Sequence, residues 1–312
     1  MTQHLRTIFM GTPDFAVPTL ETLATHTQLQ MVVSQPDRKR GRGKKVQFSP
    51  VKARALALGI DVITPSVVKG KRFASKLAEY APDVLVTAAF GRILGPSLLA
   101  VPRHGCLNVH ASLLPKLRGA APINWAIING DAETGVSIMR TVPQLDAGDV
   151  FRVAKVSILR QTAGELTVQL AEIGALTLLE TLRDIDSIVP TPQDESQATF
   201  APMMSKLDGK IDWSKSASAI DCQVRGMNPW PGAFTGWNDE VVKVHAVTVV
   251  SDSPGERYSR PGTVVRHSRD GVDVVCGEGM VRIAELQMPG KKRLSAEQFY
   301  AGLKFTPGGT FQ

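Results

Sequence analysis

Residues 83–89, DVLVTAA, are the stretch that decides the fold of this chain. An apolar run without polar alternation is typical of a parallel strand that is covered on both faces. On either side of it, short β-branched or apolar runs alternate with longer amphipathic stretches, which is the pattern of an α/β domain. The candidate strands are 5–10, 29–34, 83–89, 105–110 and 135–142, and the candidate helices are 15–26, 50–58, 71–80, 121–129 and 165–182. We therefore predict a Rossmann-like α/β domain with a largely parallel sheet, whose ligands lie at the carboxyl ends of the strands.

The pattern changes near residue 190. In residues 188–204, IVPTPQDESQATFAPMM, the periodicity stops and Pro, Gln, Ser and Thr accumulate, as in an interdomain linker. From residue 241 onward, short runs such as VVKVHAVTVV and GMVRIAEL recur between Gly or Asp turns. Such spacing indicates a small β-barrel or sandwich. We predict one domain over residues 1–189, a linker over 190–205 and a smaller β-rich domain over 206–312.

Length and composition exclude several classes of protein. A chain of 312 residues is long enough for two hydrophobic cores. It contains no run that approaches the roughly 20 apolar residues of a membrane span, and residues 1–15 lack the apolar core of a signal peptide. We therefore expect a cytoplasmic protein with no membrane segment. Cys106, Cys222 and Cys276 form no C-x-x-C pair, which argues against both a disulfide framework and a zinc knuckle.

The positive charge of the chain is concentrated in one segment. The formal net charge is +7, and residues 37–54, DRKRGRGKKVQFSPVKAR, hold eight basic residues and one acid. The surplus of basic over acidic residues in this segment therefore equals the net charge of the whole chain. Charge alone favours a solvated surface loop and a phosphate-backbone contact about equally.

The most distinctive motifs are GCLNVHASLLPKLRGAAP at residues 105–122 and LDAGD at residues 145–149. With them go GTPDF at 11–15, QPDR at 35–38, GRGKK at 41–45 and NPWP at 228–231. Together these motifs resemble the folate-dependent formyltransferase family over nearly the whole chain. The resemblance implies an enzyme that uses 10-formyltetrahydrofolate as co-substrate. Formyl transfer of this kind needs no metal, and we expect the protein to be a monomer. The resemblance also identifies residues 1–189 as the catalytic domain and makes the β-rich domain OB-like.

Formyl transfer to an amine requires stabilisation of an oxyanion and removal of a proton from the attacking nitrogen. In an extended strand Asn108 and His110 point to the same face, while Val109 turns into the core. A carboxylate beside the histidine fixes its tautomer, supports its protonated form or holds a relay water, and we assign that role to Asp146. Asp149 is the competing carboxylate and is taken as a turn or supporting residue. Taken singly, each of these residues has an ordinary structural role.

The family resemblance also assigns two binding regions. It implies that the loop Ser112, Leu113, Leu114 and Pro115 lines the folate site, where apolar side chains can flank a flat ring. In the tRNA-specific members of the family, the insertion that matches residues 37–46 reaches into the acceptor stem of initiator methionyl-tRNA. Flanking glycines let the backbone approach RNA closely, and a guanidinium can stack on bases or bridge phosphates. The predicted tRNA contacts are Arg38, Arg42, Lys44, Lys45, Lys291 and Lys292. Taken alone, the cluster at residues 291–293 favours a solvated turn, and it becomes a backbone contact only beside an L-shaped RNA.

Four alternative functions are weighed against this one. The sequence lacks the G-x-G-x-x-G fingerprint of a nicotinamide dehydrogenase, because residues 13 and 16 are Pro and Ala. The histidines form no H-x-x-x-H pair, which disfavours a metal hydrolase. A formyltransferase that acts on a small amine shares the catalytic core and differs in lacking the basic insertion and the β-rich domain. An RNA-binding protein on an inactive scaffold would not need the catalytic residues.

Overall fold

The computed structural model describes the backbone of residues 2–40, 45–252 and 260–312, and the side chains of these residues except 38–40 and 45. Its strands are β1 (Arg6–Gly11), β2 (Gln28–Val33), β3 (Arg38–Arg40), β4 (Lys45–Gln47), β5 (Val62–Ile63), β6 (Val84–Ala88), β7 (Cys106–His110), β8 (Arg118–Gly119), β9 (Glu133–Arg140), β10 (Val150–Ser157), β11 (Phe200–Ala201), β12 (Ala233–Trp237), β13 (Glu240–Val250), β14 (Val264–Ser268), β15 (Gly271–Val275), β16 (Met280–Gln287) and β17 (Arg293–Ser295). Its α-helices are α1 (Val17–His26), α2 (Pro50–Ala57), α3 (Lys71–Ala78), α4 (Pro96–Leu99), α5 (Pro122–Ile128), α6 (Ala163–Arg183), α7 (Ala217–Gly226) and α8 (Ala296–Gly302).

The chain divides into two compact units. The first contains Met1–Pro122, Glu133–Ser157 and Thr167–Pro202, and the second contains Ile123–Ala132, Ile158–Leu166 and Met203–Gln312. Each unit thus draws on separate stretches of the chain. The linear division into domains at residues 189 and 206, with a linker between them, stays a prediction.

The first unit is built on a mostly parallel sheet with the strand order β10-β9-β7-β6-β1-β2-β5. The pairs β7-β6, β6-β1, β1-β2 and β2-β5 are parallel, whereas β9 and β10 add an antiparallel edge. All five residues of β6 are buried, as the apolar run in the sequence predicts. The predicted fold class of this domain is confirmed. The antiparallel strand β10 was not predicted.

Helices cover both faces of this sheet because the strands are apolar on both sides. On one face, Phe73 and Leu77 of α3 pack with Ile8 and Leu85 of the sheet. On the other face, α6 approaches β7 so closely that a Cβ on Gly174 would lie 2.7 Å from Val109 Cγ1. Val109 therefore faces α6, and its two neighbours, Asn108 and His110, project from the opposite face of the sheet.

The second unit contains an antiparallel sheet with the order β12-β13-β16-β15-β14, and β17 pairs with β16. The last residues of the chain bond to both outer strands. Gly236 of β12 exchanges backbone hydrogen bonds with Gln312, and the Val264 amide of β14 donates to the Gly309 carbonyl oxygen at 2.8 Å. Trp213, Trp237, Phe305 and Phe311 pack in the interior. The C-terminal segment thus closes the sheet into a small barrel, as predicted for this part of the chain.

Within the part of the chain that the structure describes, no helix combines the length and the apolar character that a membrane crossing needs. All three cysteines carry free thiols, and Cys106 and Cys276 are buried.

Candidate active site

The residues with predicted catalytic roles lie where β7 ends at the carboxyl edge of the sheet. Asn108 and His110 are the third and fifth residues of this strand, so they share the face opposite Val109. The antiparallel neighbour β9 places Ser137 beside His110. The loops after β7 and β9 then supply the remaining polar groups of the site.

His110 is almost fully buried, and its two ring nitrogens have different surroundings. Nε2 lies 3.1 Å from the backbone carbonyl oxygen of Leu117. A carbonyl oxygen can only accept, so Nε2 carries the hydrogen of the neutral ring. Nδ1 then has the lone pair, and it faces Asp146 Oδ2 at 3.7 Å. The Leu117 carbonyl thus fixes the tautomer of His110. Of the roles that the sequence interpretation allows Asp146, support of the protonated ring or of a relay water stays a prediction.

Leu117 has a backbone conformation that is rare for leucine. Its φ is +58°, which lies in the left-handed region and is costly for a residue with a Cβ. The conformation is held by Thr199, whose hydroxyl accepts from the Leu117 amide at 2.9 Å. The next amide, that of Arg118, donates to the Thr199 carbonyl oxygen at 2.9 Å. Bonds from a distant segment thus turn the Leu117 carbonyl toward His110.

Asp146 occupies a second strained position, with a φ of +46°. Its Oδ2 atom accepts a hydrogen bond from the Gly119 amide at 2.9 Å. Two residues later, a Cβ on Gly148 would lie 1.9 Å from the Arg140 carbonyl oxygen, so only glycine fits this turn. Asp149 takes part through its backbone, because its carbonyl oxygen accepts from the Arg140 amide at 2.8 Å.

Asn108 is oriented by the neighbouring strand. Thr87 of β6 donates to Asn108 Oδ1 at 2.8 Å, so the amide oxygen is already used. Among the described residues, the Asn108 amide nitrogen has no hydrogen-bond acceptor. It is therefore available as a donor on the face that it shares with His110.

The loop assigned to folate is held together internally. Ser112 is fully buried, and its hydroxyl donates to the Lys116 carbonyl oxygen at 2.6 Å. Ser137 donates to the Ser112 carbonyl oxygen at 2.8 Å and accepts from the Leu114 amide at 3.1 Å. Leu113, Leu114 and Pro115 are half-buried. Ser112 thus shapes the loop, whereas the three residues after it offer apolar surface.

A cavity of about 280 Å³ lies at the carboxyl ends of β1, β2 and β6. Asp37, which helps to line it, forms an ion pair with Lys52 at 2.5 Å through Oδ2. Its other oxygen, Oδ1, is buried and has no partner among the described residues. The lining residues are Thr12, Pro13, Gln35, Pro36, Asp37, Gln47, Ser49 and Ala89. Five of these residues lie in the motifs GTPDF and QPDR, which carry the family resemblance in the sequence but were assigned there to no site.

The basic insertion forms a hairpin of β3 and β4, in which Arg38 pairs with Gln47 and Arg40 with Lys45. Arg38 and Lys45 therefore lie on its strands, whereas the predicted tRNA contacts Arg42 and Lys44 lie outside the described residues. Two basic residues that follow the hairpin are partly neutralised. Lys52 pairs with Asp37, and Arg54 pairs with Glu21 at 2.6 Å.

The second predicted basic contact lies in the barrel. Lys291 and Lys292 are exposed between β16 and β17. The adjacent Arg293 forms an ion pair with Glu285. The role of both lysines in RNA binding stays a prediction.

Within the described ranges, the structure contains no cluster of three or more His, Cys, Asp or Glu side chains that could hold a metal ion. Burial raises the pKa of the Cys106 thiol, on β7, to about 12, so it is no candidate for a nucleophile.

An amide donor, an imidazole of fixed tautomer and a carboxylate meet at the edge of this α/β sheet, and these are the groups that acyl transfer to an amine requires. Comparison with known families makes the class more specific. The model "Formyl transferase" matches residues 5–182, and the model "Formyl transferase, C-terminal domain" matches residues 203–304. The chain belongs to the formyl transferase family, as the sequence motifs predict.

Individual relatives agree with this assignment. The chain is 46% identical over 308 residues to a methionyl-tRNA formyltransferase from Acetivibrio thermocellus, covering 97% of this chain and 98% of the relative. It is 46% identical over 309 residues to one from Citrifermentans bemidjiense, covering 98% and 96%. Six further relatives, 41–44% identical, carry the same name, so this chain is similar over nearly its whole length to enzymes of formyl transfer.

Solved structures show the same fold at low identity. An N-formyltransferase from Helicobacter canadensis, in complex with folinic acid and dTDP-3-aminofucose, has a TM-score of 0.64 at 17% identity and covers 93% of this chain and 100% of that one. HypX from Aquifex aeolicus, in complex with tetrahydrofolic acid, has a TM-score of 0.63 at 17% identity. The match covers 99% of this chain and 51% of HypX, so this chain spans about half the length of HypX.

Proposed function

We propose that the protein is a methionyl-tRNA formyltransferase, which transfers the formyl group of 10-formyltetrahydrofolate to the amino group of the methionyl moiety of initiator tRNA. The observation that carries this proposal is the 46% identity to a methionyl-tRNA formyltransferase over 97% of the chain. The product, N-formylmethionyl-tRNA, serves translation initiation.

In the reaction, the methionyl nitrogen forms a bond to the formyl carbon, and the bond from that carbon to N10 of the folate breaks. The donor supplies a formyl group on a nitrogen that can leave. One proton moves from the methionyl nitrogen and one reaches N10, so the products are the formylated amine and tetrahydrofolate. The residues of the chain have to manage a developing oxyanion and this proton.

Asn108 and His110 are placed for these two tasks. The Asn108 amide nitrogen donates to the formyl oxygen as negative charge builds there. His110 accepts the proton at Nδ1, because its Nε2 is bonded to the Leu117 carbonyl oxygen. Asp146 Oδ2, 3.7 Å away, then compensates the positive charge of the ring. The proton passes from Nδ1 to the departing N10.

The folate would bind at the loop after β7. Leu113, Leu114 and Pro115 present apolar side chains that are half-buried, which suits contact with a flat ring. Ser112 holds the loop in shape through its bond to Lys116. The donor would therefore lie beside the strand that carries Asn108 and His110.

The acceptor would bind on the other side of Asn108. The cavity lies at the ends of β1, β2 and β6, and β6 is the direct neighbour of β7 in the sheet. Gln47 of the basic hairpin also lines this cavity. A tRNA whose acceptor stem lies along the hairpin can thus place its aminoacyl end there. The proposed tRNA contacts are Arg38, Arg42, Lys44 and Lys45 on the hairpin, with Lys291 and Lys292 on the barrel.

A formyltransferase for a small amine is the rival within the family. The basic hairpin favours RNA, since the six basic residues and no acid of residues 38–47 match a phosphate backbone. An aminoacyl-tRNA substrate also favours the cytosol as the place where the protein acts. The expectation of a monomer stays a prediction, which light scattering tests.

Formyl transfer from 10-formyltetrahydrofolate tests this proposal, with methionyl initiator tRNA, methionyl elongator tRNA and glycinamide ribonucleotide as acceptors. We expect formylation of the initiator tRNA alone. Transfer only to the small amine would contradict the RNA assignment and leave the catalytic site in place, whereas no transfer to any acceptor would contradict the activity.

A further inference from the structure

The segment from Thr191 to Ala201, here called the strap, crosses the loops that hold the catalytic residues. Thr191 and Val150 exchange two backbone hydrogen bonds of 2.8 Å. At its other end, Phe200 and Ala201 of β11 pair in parallel with β8. The strap thus spans the space between the loop that carries Asp146 and the loop that carries Leu117.

Gln193 is the residue of the strap that contacts the Asp146 loop. Its amide nitrogen donates to the Asp146 carbonyl oxygen at 2.8 Å and to the Gly148 carbonyl oxygen at 2.7 Å. The two carbonyls flank the turn at which Asp146 has its positive φ. One side chain therefore clamps both ends of the strained turn.

The other end of the Gln193 amide connects to the second loop. Its oxygen accepts from Arg118 Nε at 3.0 Å and from an Arg118 terminal nitrogen at 2.8 Å. Arg118 is only 3% exposed, and it directly follows Leu117, whose carbonyl fixes the tautomer of His110. Gln193 is thus bonded to the turn of Asp146 on one side and to the neighbour of Leu117 on the other.

Arg118 has a second partner, Glu195, which accepts from it at 2.8 and 2.9 Å and whose side chain is 70% exposed. The hydrogen bonds from Arg118 lower the pKa of Glu195. This bidentate pair helps to hold the buried guanidinium. The half-buried Gln193 amide is the partner that connects Arg118 to the Asp146 turn.

We propose that Gln193 is a positioning residue for formyl transfer, which sets the place of the Asp146 carboxylate relative to His110 Nδ1. This inference rests on the proposed function. Gln193 contacts no reacting atom, and it acts through the backbone of Asp146 and Gly148. A misplacement of about 1 Å at a catalytic group can lower a rate about 100-fold, so loss of the clamp should lower kcat.

Gln193→Glu removes the two hydrogen bonds that the Gln193 amide nitrogen donates to the Asp146 loop. The variant keeps an oxygen for Arg118 but replaces the donor nitrogen with an oxygen that faces two carbonyls. We expect kcat for initiator methionyl-tRNA to fall about 10- to 100-fold, with KM for both substrates changed by less than about threefold. Gln193→Met, which has a similar volume and no charge, gives the same test if the added carboxylate prevents folding.

The matched control is Gln197→Glu, the same change four residues later in the strap. Gln197 is exposed and donates to Asp194 rather than to the site. We expect this variant to have the wild-type kcat. The inference is wrong if Gln193→Glu keeps kcat within twofold of the wild type, or if its loss appears in KM alone.

A double-mutant cycle separates positioning from a general structural role. In the Asp146→Asn background, adding Gln193→Glu should lower kcat by less than about twofold, because the group that it positions is already disabled. Losses that multiply fully would show that Gln193 does not act through Asp146.

Amide exchange distinguishes failure of this inference from failure of the proposed function. The Gly119 amide donates to Asp146 Oδ2, so it should exchange faster in Gln193→Glu than in Gln197→Glu. If the wild type formylates no tRNA, the proposed function fails, and this readout still tests the clamp. Equal exchange of Gly119 in both variants would overturn the inference.

Discussion

The loops around His110 and the basic hairpin both follow carboxyl ends of strands in the same sheet, yet they are built differently. Around His110, Leu117 and Asp146 adopt strained conformations that hydrogen bonds from the 191–201 strap hold in place. The hairpin is distinguished by its positive charge, and two basic residues that follow it, Lys52 and Arg54, are paired to carboxylates. The difference teaches that chemistry on a small group requires fixed atoms, whereas contact with a phosphate backbone requires charge.

His110→Ala should have the largest effect, and it tests the rigid side of the comparison. We expect kcat to fall roughly 10²- to 10⁴-fold, the usual range for loss of a positioned acid–base group, while tRNA binding persists. Steady-state kinetics and a filter-binding assay measure the two quantities.

The matched control is His104→Ala. His104 precedes the same strand at its amino end and contacts Asp186 at 3.4 Å. We expect this variant to keep kcat near the wild-type value. Near-normal turnover of His110→Ala would refute the catalytic assignment.

Arg42→Ala tests the charged side, with an intermediate effect. We expect a several-fold rise in KM for initiator tRNA that becomes smaller at high salt, because salt screens the phosphate contacts that the wild type makes. We expect kcat and folate binding to be unchanged. Arg54→Ala is the control, since Arg54 already pairs with Glu21. Equal kinetics for Arg42→Ala and the wild type at physiological salt would reduce the hairpin to a solvated loop.

The smallest expected effect concerns His267, which belongs to the barrel of the second unit. Its ring stacks on Phe299 and lies edge-on to Phe305, and its Nε2 is buried without a partner among the described residues. Burial lowers the pKa of His267 below its usual 6.5. Between the lowered value and 6.5 the unfolded chain binds more protons, so stability falls as the pH drops below about 6.5.

We therefore expect His267→Phe to lose less thermal stability than the wild type when the pH is lowered from 8.5 to 5.5. Calorimetry at the two pH values measures the difference, and the higher value gives the baseline for packing changes. An identical loss in both proteins would show that His267 does not contribute to the pH dependence.

The comparison also explains what could be read from the sequence. The apolar run of β6 predicts a buried central strand, and the alternation of β7 places Asn108 and His110 on one face, because both depend on local periodicity. The motif LDAGD marks Asp146 as a turn residue for the same reason.

The positions of these groups could not be predicted, because they depend on bonds between distant residues. The Leu117 carbonyl is oriented by Thr199, 82 residues later, and Gln193 reaches back 47 residues to Asp146. The composition of residues 188–204 indicates only an irregular segment. No local pattern distinguishes the inward-facing Gln193 from the exposed Gln197 in that segment.

The central claim is that this long-range frame fixes His110 with its hydrogen on Nε2 and leaves Nδ1 to take the proton. Nitrogen-15 NMR of labelled histidine, with His110→Ala to assign the signal, tests it directly. We expect the neutral ring to show a protonated Nε2 and an unprotonated Nδ1 that faces Asp146. A neutral ring protonated on Nδ1 would contradict both the role of the Leu117 carbonyl and the proton path drawn from it.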